Sequence, residues 1–401
     1  MSNPLATARP GWLIANLIGQ LAFGLLAMTI CLPSMQEWPA LFGASQAAVQ
    51  LTFSGYVAAY GGMQLVWGAL SDRVGRKPIL LAGLALACIG SLLAALAPDL
   101  ALLTAARVLQ GAGTAAGMVT GRALVQDVFT GRERTRMMAF VGMTMGLVPP
   151  LAMLVGGQIH VRLGWQANFV LVTVLGLVLF AGAWWGLPSR KPDAAPGRTD
   201  GWGQLLAGYG RLLRMPVFLL YVAMLASTTS AFYTFLAGAP IVLKGYGVTP
   251  ERIGWVIMSI PVAYIVGNIL TTRLIKRHGD RWLMAVGQAL TVSGLLALLA
   301  LGLAGWHTPL ALALPLVLLG IGHGLLAPPT LTGTVGLVPA LAGSAAAVGG
   351  LMQQLMGAIG GFVVGLLPHD GPVNLALLML AFTALGAAAQ VVLYRNAPHR
   401  G

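Results

Sequence analysis

The sequence predicts an all-α membrane protein with twelve transmembrane helices in two pseudo-symmetric six-helix bundles. Three observations carry this: the composition, the spacing of the apolar runs, and the side on which the basic residues fall. Of 401 residues, 57% are hydrophobic and 8% charged, and the mean hydropathy is +0.83. A soluble domain carries about 25% charged residues. A soluble fold of this length could neither bury so much apolar side chain nor keep its surface wet. The same numbers exclude a disordered chain.

A spanning helix needs about 20 mostly apolar residues. Such runs fall at roughly 12–33, 46–70, 78–97, 100–122, 137–158, 165–187, 216–240, 251–275, 282–304, 309–330, 344–367 and 373–394. They are too long and unbroken for barrel strands, which alternate over about 10 residues. The first run is longer than the apolar core of a secretory signal and lacks a small-residue cleavage site after it, so it reads as a span.

The net charge is +13, from 23 Lys and Arg against 10 Asp and Glu. With a cytoplasmic N-terminus, only Arg162, Lys244 and Arg252 fall on the outer side, and Arg107 and Arg122 fall within or at the end of a span. Every other basic residue is then cytoplasmic. This is the positive-inside bias, and it places both termini in the cytoplasm of a multi-pass inner-membrane protein. The bases are therefore topology signals, with no nucleic-acid partner implied. Cys31 and Cys88 both sit in spans, so no disulfide is expected. The six histidines are scattered and form no metal-ligand cluster.

The longest polar stretch, 188–215, divides the chain into a bundle at 1–187, a cytoplasmic linker at 188–215, and a bundle at 216–401. The halves resemble each other. LSDRVGRKPILLAG at 70–83 aligns with LIKRHGDRWLMAVG at 274–287, which pairs Leu70, Arg73, Gly75 and Gly83 with Leu274, Arg277, Gly279 and Gly287. LQGAGT at 109–114 likewise meets LLGIGH at 318–323. Parallel six-helix repeats imply alternating access to a site near the bilayer midplane.

Four motifs carry chemistry. Gly68-Ala-Leu-Ser-Asp72-Arg73-Val-Gly75-Arg76-Lys77-Pro78 lies between the second and third runs. Its glycines allow a turn and close packing, and its charges can pair. Leu103-Thr-Ala-Ala-Arg107-Val-Leu-Gln110-Gly111-Ala-Gly113 puts an arginine inside an apolar span. Such a charge costs several kcal/mol unless paired or wetted, so Arg107 must face the bundle interior. Thr29-Ile-Cys31-Leu32-Pro33 ends the first run. Gly142-Met-Thr-Met-Gly146-Leu-Val-Pro149-Pro150, continuing to Gly156-Gly157, lets the fifth helix bend and pack closely.

These motifs resemble the major facilitator superfamily, and within it the drug:proton antiporters of the Bcr/CflA type. The resemblance implies a secondary active transporter that exports small organic molecules such as amphenicols, with protons as coupling ion and no cofactor. It also implies that Gly68, Asp72, Arg73, Gly75, Arg76 and Lys77 form a conformational latch with an acid at the end of the fourth helix, where Asp127 stands. Two departures bear on coupling. Thr29 occupies the position of the family's membrane-embedded Asp, and Ala152-Met153 replaces the Gly-Pro pair of the fifth-helix motif. No other acid lies at mid-membrane, whereas His323 does, in the tenth run, so His323 joins Arg107 and Thr29 as a cavity or coupling candidate.

In this fold the first, fourth, seventh and tenth helices line the cavity. Asn16, Gln20 and Phe23 share one face of the first run. Thr228, Phe232, Tyr233 and Phe235 lie in the seventh, and Tyr56 and Gln353 are further candidates for substrate contact. Aromatic faces with a few hydroxyls suit amphipathic small molecules. Two alternatives stay open: an exporter dedicated to one metabolite such as a siderophore, and a proton-independent facilitator or importer. A membrane-embedded enzyme lacks support, because no paired intramembrane carboxylates and no nucleophile–base pair occur. A monomer is expected.

Overall fold

A computed structural model describes residues 10–128, 131–187, 202–338, 341–368 and 371–396, and every regular element among them is helical. In chain order these are α1 (Pro10–Thr29), a single 3-10 turn at Ser34–Gln36, α2 (Trp38–Phe42), α3 (Gln46–Val74), α4 (Arg76–Ala95), α5 (Leu100–Val128), α6 (Gly131–Leu163) and α7 (Gln166–Gly186). There follow α8 (Trp202–Leu213), α9 (Pro216–Gly245), α10 (Pro250–Ile257), α11 (Ser259–Leu303), α12 (Pro309–Gly336), α13 (Ala342–Val364) and α14 (Val373–Asn396).

Eight stretches among the described residues are long and apolar enough to cross a bilayer by composition alone. One of them, Pro250–Leu303, holds two spans, because α11 folds at Gly279 (φ 74, ψ 172), the single non-helical residue within it. The more polar α3, α5 and α6 complete the set of twelve. The expected linker start, 188–201, lies outside the described residues. The remainder of that stretch forms α8, whose Leu212 packs with Phe218, Val222, Ala345 and Val348.

Several boundaries differ from the apolar runs, for identifiable reasons. α1 stops at Thr29 rather than 33. Pro33 has no N–H to offer the Thr29 carbonyl, which instead accepts from Leu32 N at 3.1 Å. α5 and α6 run six and five residues past the apolar stretch at Val128 and Leu163, since hydropathy finds the bilayer-depth part of a helix and not its wet ends. The expected loop between 275 and 282 shrinks to the Gly279 kink. Elsewhere the ends are capped as the sequence dictates. Ser45 accepts from Ala48 N at 3.2 Å, Asp99 from Leu102 N at 2.8 Å, and Thr308 from Ala311 N at 3.2 Å with Pro309 opening α12.

The contacts divide the chain into two compact units: Met1–Ala194 with Pro250–Gly254, and Ala195–Thr249 with Trp255–Gly401. In the first, α5 packs on α1, α3 and α4, and α7 on α1 and α4. In the second, α12 packs on α9 and both arms of α11, and α14 on α9 and α11. The internal pairing scheme is thus the same. The matched glycines repeat it in detail. Gly75 and Gly279 both take positive φ, 109° and 74°. A Cβ on Gly83 would meet the Gly113 carbonyl at 2.7 Å, and one on Gly287 the Gly322 carbonyl at 2.6 Å. The repeat read from short apolar strings is a repeat of backbone-to-backbone crossings.

The lipid-facing surface is legible on α7, where Val170, Val174, Leu177 and Val178 recur at helical spacing and are about half exposed. Trp184 and Trp185 stand exposed at its end, as interfacial aromatics do.

Candidate functional site

Arg107 is fully buried in the first unit. Its Nη1 donates to the Ala27 carbonyl at 2.7 Å and to Gln110 Oε1 at 2.5 Å, and its Nη2 donates to the Met28 carbonyl at 3.0 Å. The guanidinium carbon lies 4.3 Å from the Tyr56 ring centroid and 5.8 Å from that of Phe169. No Asp or Glu occurs in α1 or between Leu100 and Gln126 of α5. The charge is therefore stabilised by dipoles and π-faces. Ala27 and Met28 lie in the last turn of α1, where carbonyls lack intrahelical donors and the helix carries its negative end. Ring faces add about 2 kcal/mol when a cation is desolvated over them.

The network continues outward from the guanidinium. Gln110 Nε2 donates to Ser91 Oγ at 2.7 Å, and Ser91 donates to the Ala87 carbonyl at 2.7 Å. Tyr56 Oη is 2.7 Å from both the Gly24 carbonyl and Thr114 Oγ1. Tyr56, expected at the substrate, instead supports Arg107 from the core. Arg107 Nε finds no hydrogen-bond partner among the described residues. Ser91 and Phe169 escaped the sequence reading. Gln110 stands three residues from Arg107 and hence on its face, a signal that was available.

Thr29 is fully buried and donates to the Leu25 carbonyl at 2.8 Å, with the Pro149 carbonyl at 3.4 Å. A carboxylate there would face two carbonyl oxygens. Pro149 and Pro150 lie inside α6, Gly146 is buried, and Gly156 lies directly against the Ile30 carbonyl. Asn168 Nδ2 ties this crossing together, donating to the Gly156 carbonyl at 3.3 Å and to Ser34 Oγ at 3.2 Å. Gly157 touches the Pro250 carbonyl within the same unit. The Gly142 position falls outside the residues whose surroundings are described.

In the loop motif, Arg76 Nη1 pairs with Asp72 Oδ1 at 2.5 Å and donates to Ser71 Oγ at 2.7 Å. Arg73 is exposed, and Gly68 approaches α5 so that a Cβ there would lie 3.6 Å from Val119 Cγ1. Lys77 Nζ donates to the carbonyls of Trp184 and Leu187, each at 2.7 Å, and so caps the C-terminal end of α7. The side chain of Asp127, on α5, lies outside the described residues.

Asn16, Gln20 and Phe23 all face α7. Gln20 Nε2 donates to Asn16 Oδ1 at 3.4 Å and to the Leu179 carbonyl at 3.3 Å, and Phe23 borders Gly176. In the second unit the hydroxyl stripe of α9 knits to α13. Gln353 Nε2 donates to Thr229 Oγ1 at 2.9 Å, Ser230 to the Met356 carbonyl at 2.7 Å, and Tyr233 Oη to Gln354 Oε1 at 3.1 Å. Thr228 turns back on the Met224 carbonyl at 2.9 Å. Phe232 is partly exposed beside Tyr233, and Phe235 is buried. His323 is buried on α12 between Gly322 and Gly324, both of which pack on α11.

Comparison with known proteins decides the family. The Major Facilitator Superfamily matches in two overlapping segments, residues 13–361 and 229–401. The chain belongs to this superfamily. It is accordingly a multi-pass membrane transporter acting on small molecules, and not an enzyme. A chloramphenicol resistance protein of Pseudomonas aeruginosa is 28% identical, with 90% of this chain and 86% of that protein covered. Multidrug resistance protein D of Escherichia coli is 29% identical, with 97% of each covered. A multidrug transporter, MdfA, of Yersinia pestis is 31% identical over 73% of this chain and 71% of its own. A bacterial homolog of the lysosomal transporter Spinster, solved inward-facing and unoccupied, covers 100% of both chains at TM-score 0.78 and 15% identity. That likeness concerns the fold.

Proposed function

We propose that this chain is a secondary active exporter of small drug-like organic molecules, amphenicols among them, across the inner membrane. The full-length similarity to proteins named for chloramphenicol and multidrug resistance carries this reading. The bundles 1–187 and 216–401, joined by a cytoplasmic linker at 188–215, alternate access to the cargo as a monomer in the lipid bilayer, with both termini cytoplasmic. Phe232, Tyr233, Phe235, Thr228 and Gln353 contact cargo on the second bundle, and Asn16, Gln20 and Phe23 on the first. Expression in a drug-sensitive host tests the reading. The chain is expected to raise chloramphenicol tolerance, and unchanged tolerance at verified membrane expression would refute it.

The loop motif acts as the latch, with the Asp72–Arg76 pair at its centre and Asp127 as the acid across from it. Asp72→Asn removes the charge and keeps the shape. Transport is expected to fall at least about tenfold, the scale of one lost charge-assisted bond, with insertion unchanged. Normal turnover in the variant would dismiss the latch.

Proton coupling runs through His323, the titratable side chain at membrane depth in α12. His323→Gln retains hydrogen bonding and cannot titrate. Accumulation driven by a proton gradient is expected to vanish while downhill movement of cargo persists. If the Gln variant still accumulates cargo, His323 is a packing residue. A second reading, a proton-independent facilitator, draws support from Thr29, whose hydroxyl is spent on two carbonyls where a carboxylate would carry the proton.

A further inference from the structure

Both units use one packing frame, and they fill it differently. The register that pairs Gly111 with Gly320 and Gly113 with Gly322 places Leu316 at the position of Arg107 and Leu319 at that of Gln110. The register that pairs Gly83 with Gly287 places Ile260 at Tyr56 and Leu295 at Ser91. Ile260, Leu295, Leu316 and Leu319 are all buried core residues. The surrounding crossings are equivalent: Gly111 meets Tyr56 backbone as Gly320 meets that of Ile260, and Gly113 meets Ala87 as Gly322 meets Thr291. The same frame thus closes around leucines. Replacing a buried charged network by well-packed apolar residues is commonly neutral or stabilising.

We propose that Ser91 and Gln110 are positioning residues for transport, holding the Arg107 guanidinium on the C-terminal end of α1, and that this network is dispensable to the fold. The proposal rests on the reading of the chain as an exporter. Ser91 on α4 gives its hydroxyl oxygen to Gln110 Nε2, which leaves Gln110 Oε1 pointed at Arg107. The amide is oriented from one helix and read by a charge that grips another. Without Ser91 the amide can turn over and present NH₂ to a guanidinium that has only donors. Arg107 would then keep its charge and lose its aim at the Ala27 and Met28 carbonyls. Because Arg107 is enclosed by helices, mis-aiming it alters the rate of conformational exchange and leaves cargo affinity alone.

The test uses purified full-length protein in proteoliposomes with chloramphenicol as probe. Variants are Ser91→Ala, Gln110→Leu and the combined set Ser91→Leu, Arg107→Leu and Gln110→Leu, which copies the second unit at these three positions and leaves Tyr56 in place. The single variants are expected to lower maximal turnover about tenfold with KM unchanged. The combined set is expected to keep the wild-type melting midpoint in detergent or exceed it, and to lose transport. A raised KM at unchanged turnover, or wild-type transport by the combined set, overturns the positioning role. A collapsed melting midpoint in the combined set overturns the claim that the network is dispensable to the fold. Should the wild-type protein move no chloramphenicol, the exporter reading fails, and the melting comparison still decides the structural half.

Discussion

Arg107→Ala is expected to abolish transport while the protein still inserts and folds. Removing the guanidinium releases Ala27 and Met28 at the end of α1, Gln110 on α5 and the ring faces of Tyr56 and Phe169 together. The Ala27 and Met28 carbonyls and the Gln110 amide oxygen are left without their donor, at about 1–3 kcal/mol each. Expressed in the balance of two carrier states, their sum corresponds to roughly a hundredfold or more in rate. Arg107→Lys should not restore function. An ammonium is a compact point charge and cannot span two carbonyls and an amide with a planar fork, nor stack flat on Tyr56. Initial rates in vesicles, normalised to folded protein, check both variants. Wild-type rates in the lysine variant would show that charge alone suffices.

Gly113→Val should act in the opposite way, on the fold. A Cβ at Gly113 would lie 2.6 Å from the Gly83 carbonyl and 2.8 Å from Ala87 Cα, against the backbone of α4. Backbone cannot rotate aside as a side chain can, so α4 and α5 must separate. Overpacking costs about 1–3 kcal/mol and more where the clash is with backbone, a large fraction of a marginal stability, so the melting midpoint and yield should fall. Gly68→Ala is the contrast, since its Cβ would sit 3.6 Å from Val119 Cγ1 in ordinary contact. Detergent-extracted yield and melting midpoint separate the two, and an unchanged midpoint for Gly113→Val would mean the crossing is looser than described.

Much of the architecture was readable because the bilayer simplifies the code. Span length follows from hydrocarbon thickness, and Gly75 and Gly279 marked equivalent turns through spacing alone. Arg107 was forced inward by cost. What spacing could not supply was the partner across a helix crossing. Ser91 is one hydroxyl in an apolar helix, and only the α4–α5 packing brings it to Gln110. Lys77 read as part of a charge network, yet its chain length lets it reach the Trp184 and Leu187 carbonyls. The wet ends of α5 and α6 were missed because apolarity reports depth, while the helices continue through Gln126 and Asp127 and through His160 and Arg162. The class of cargo rests on the relatives, which are named for chloramphenicol and multidrug resistance.

The central claim joins drug export to the buried guanidinium, and one measurement reaches both. Purified wild-type protein and Arg107→Ala, each of verified melting midpoint, are reconstituted in parallel, and labelled chloramphenicol is followed under an imposed proton gradient. Wild-type vesicles should accumulate the label against its gradient, and the alanine variant should match protein-free vesicles. Equal accumulation by the variant, or none by the wild type, would contradict the account.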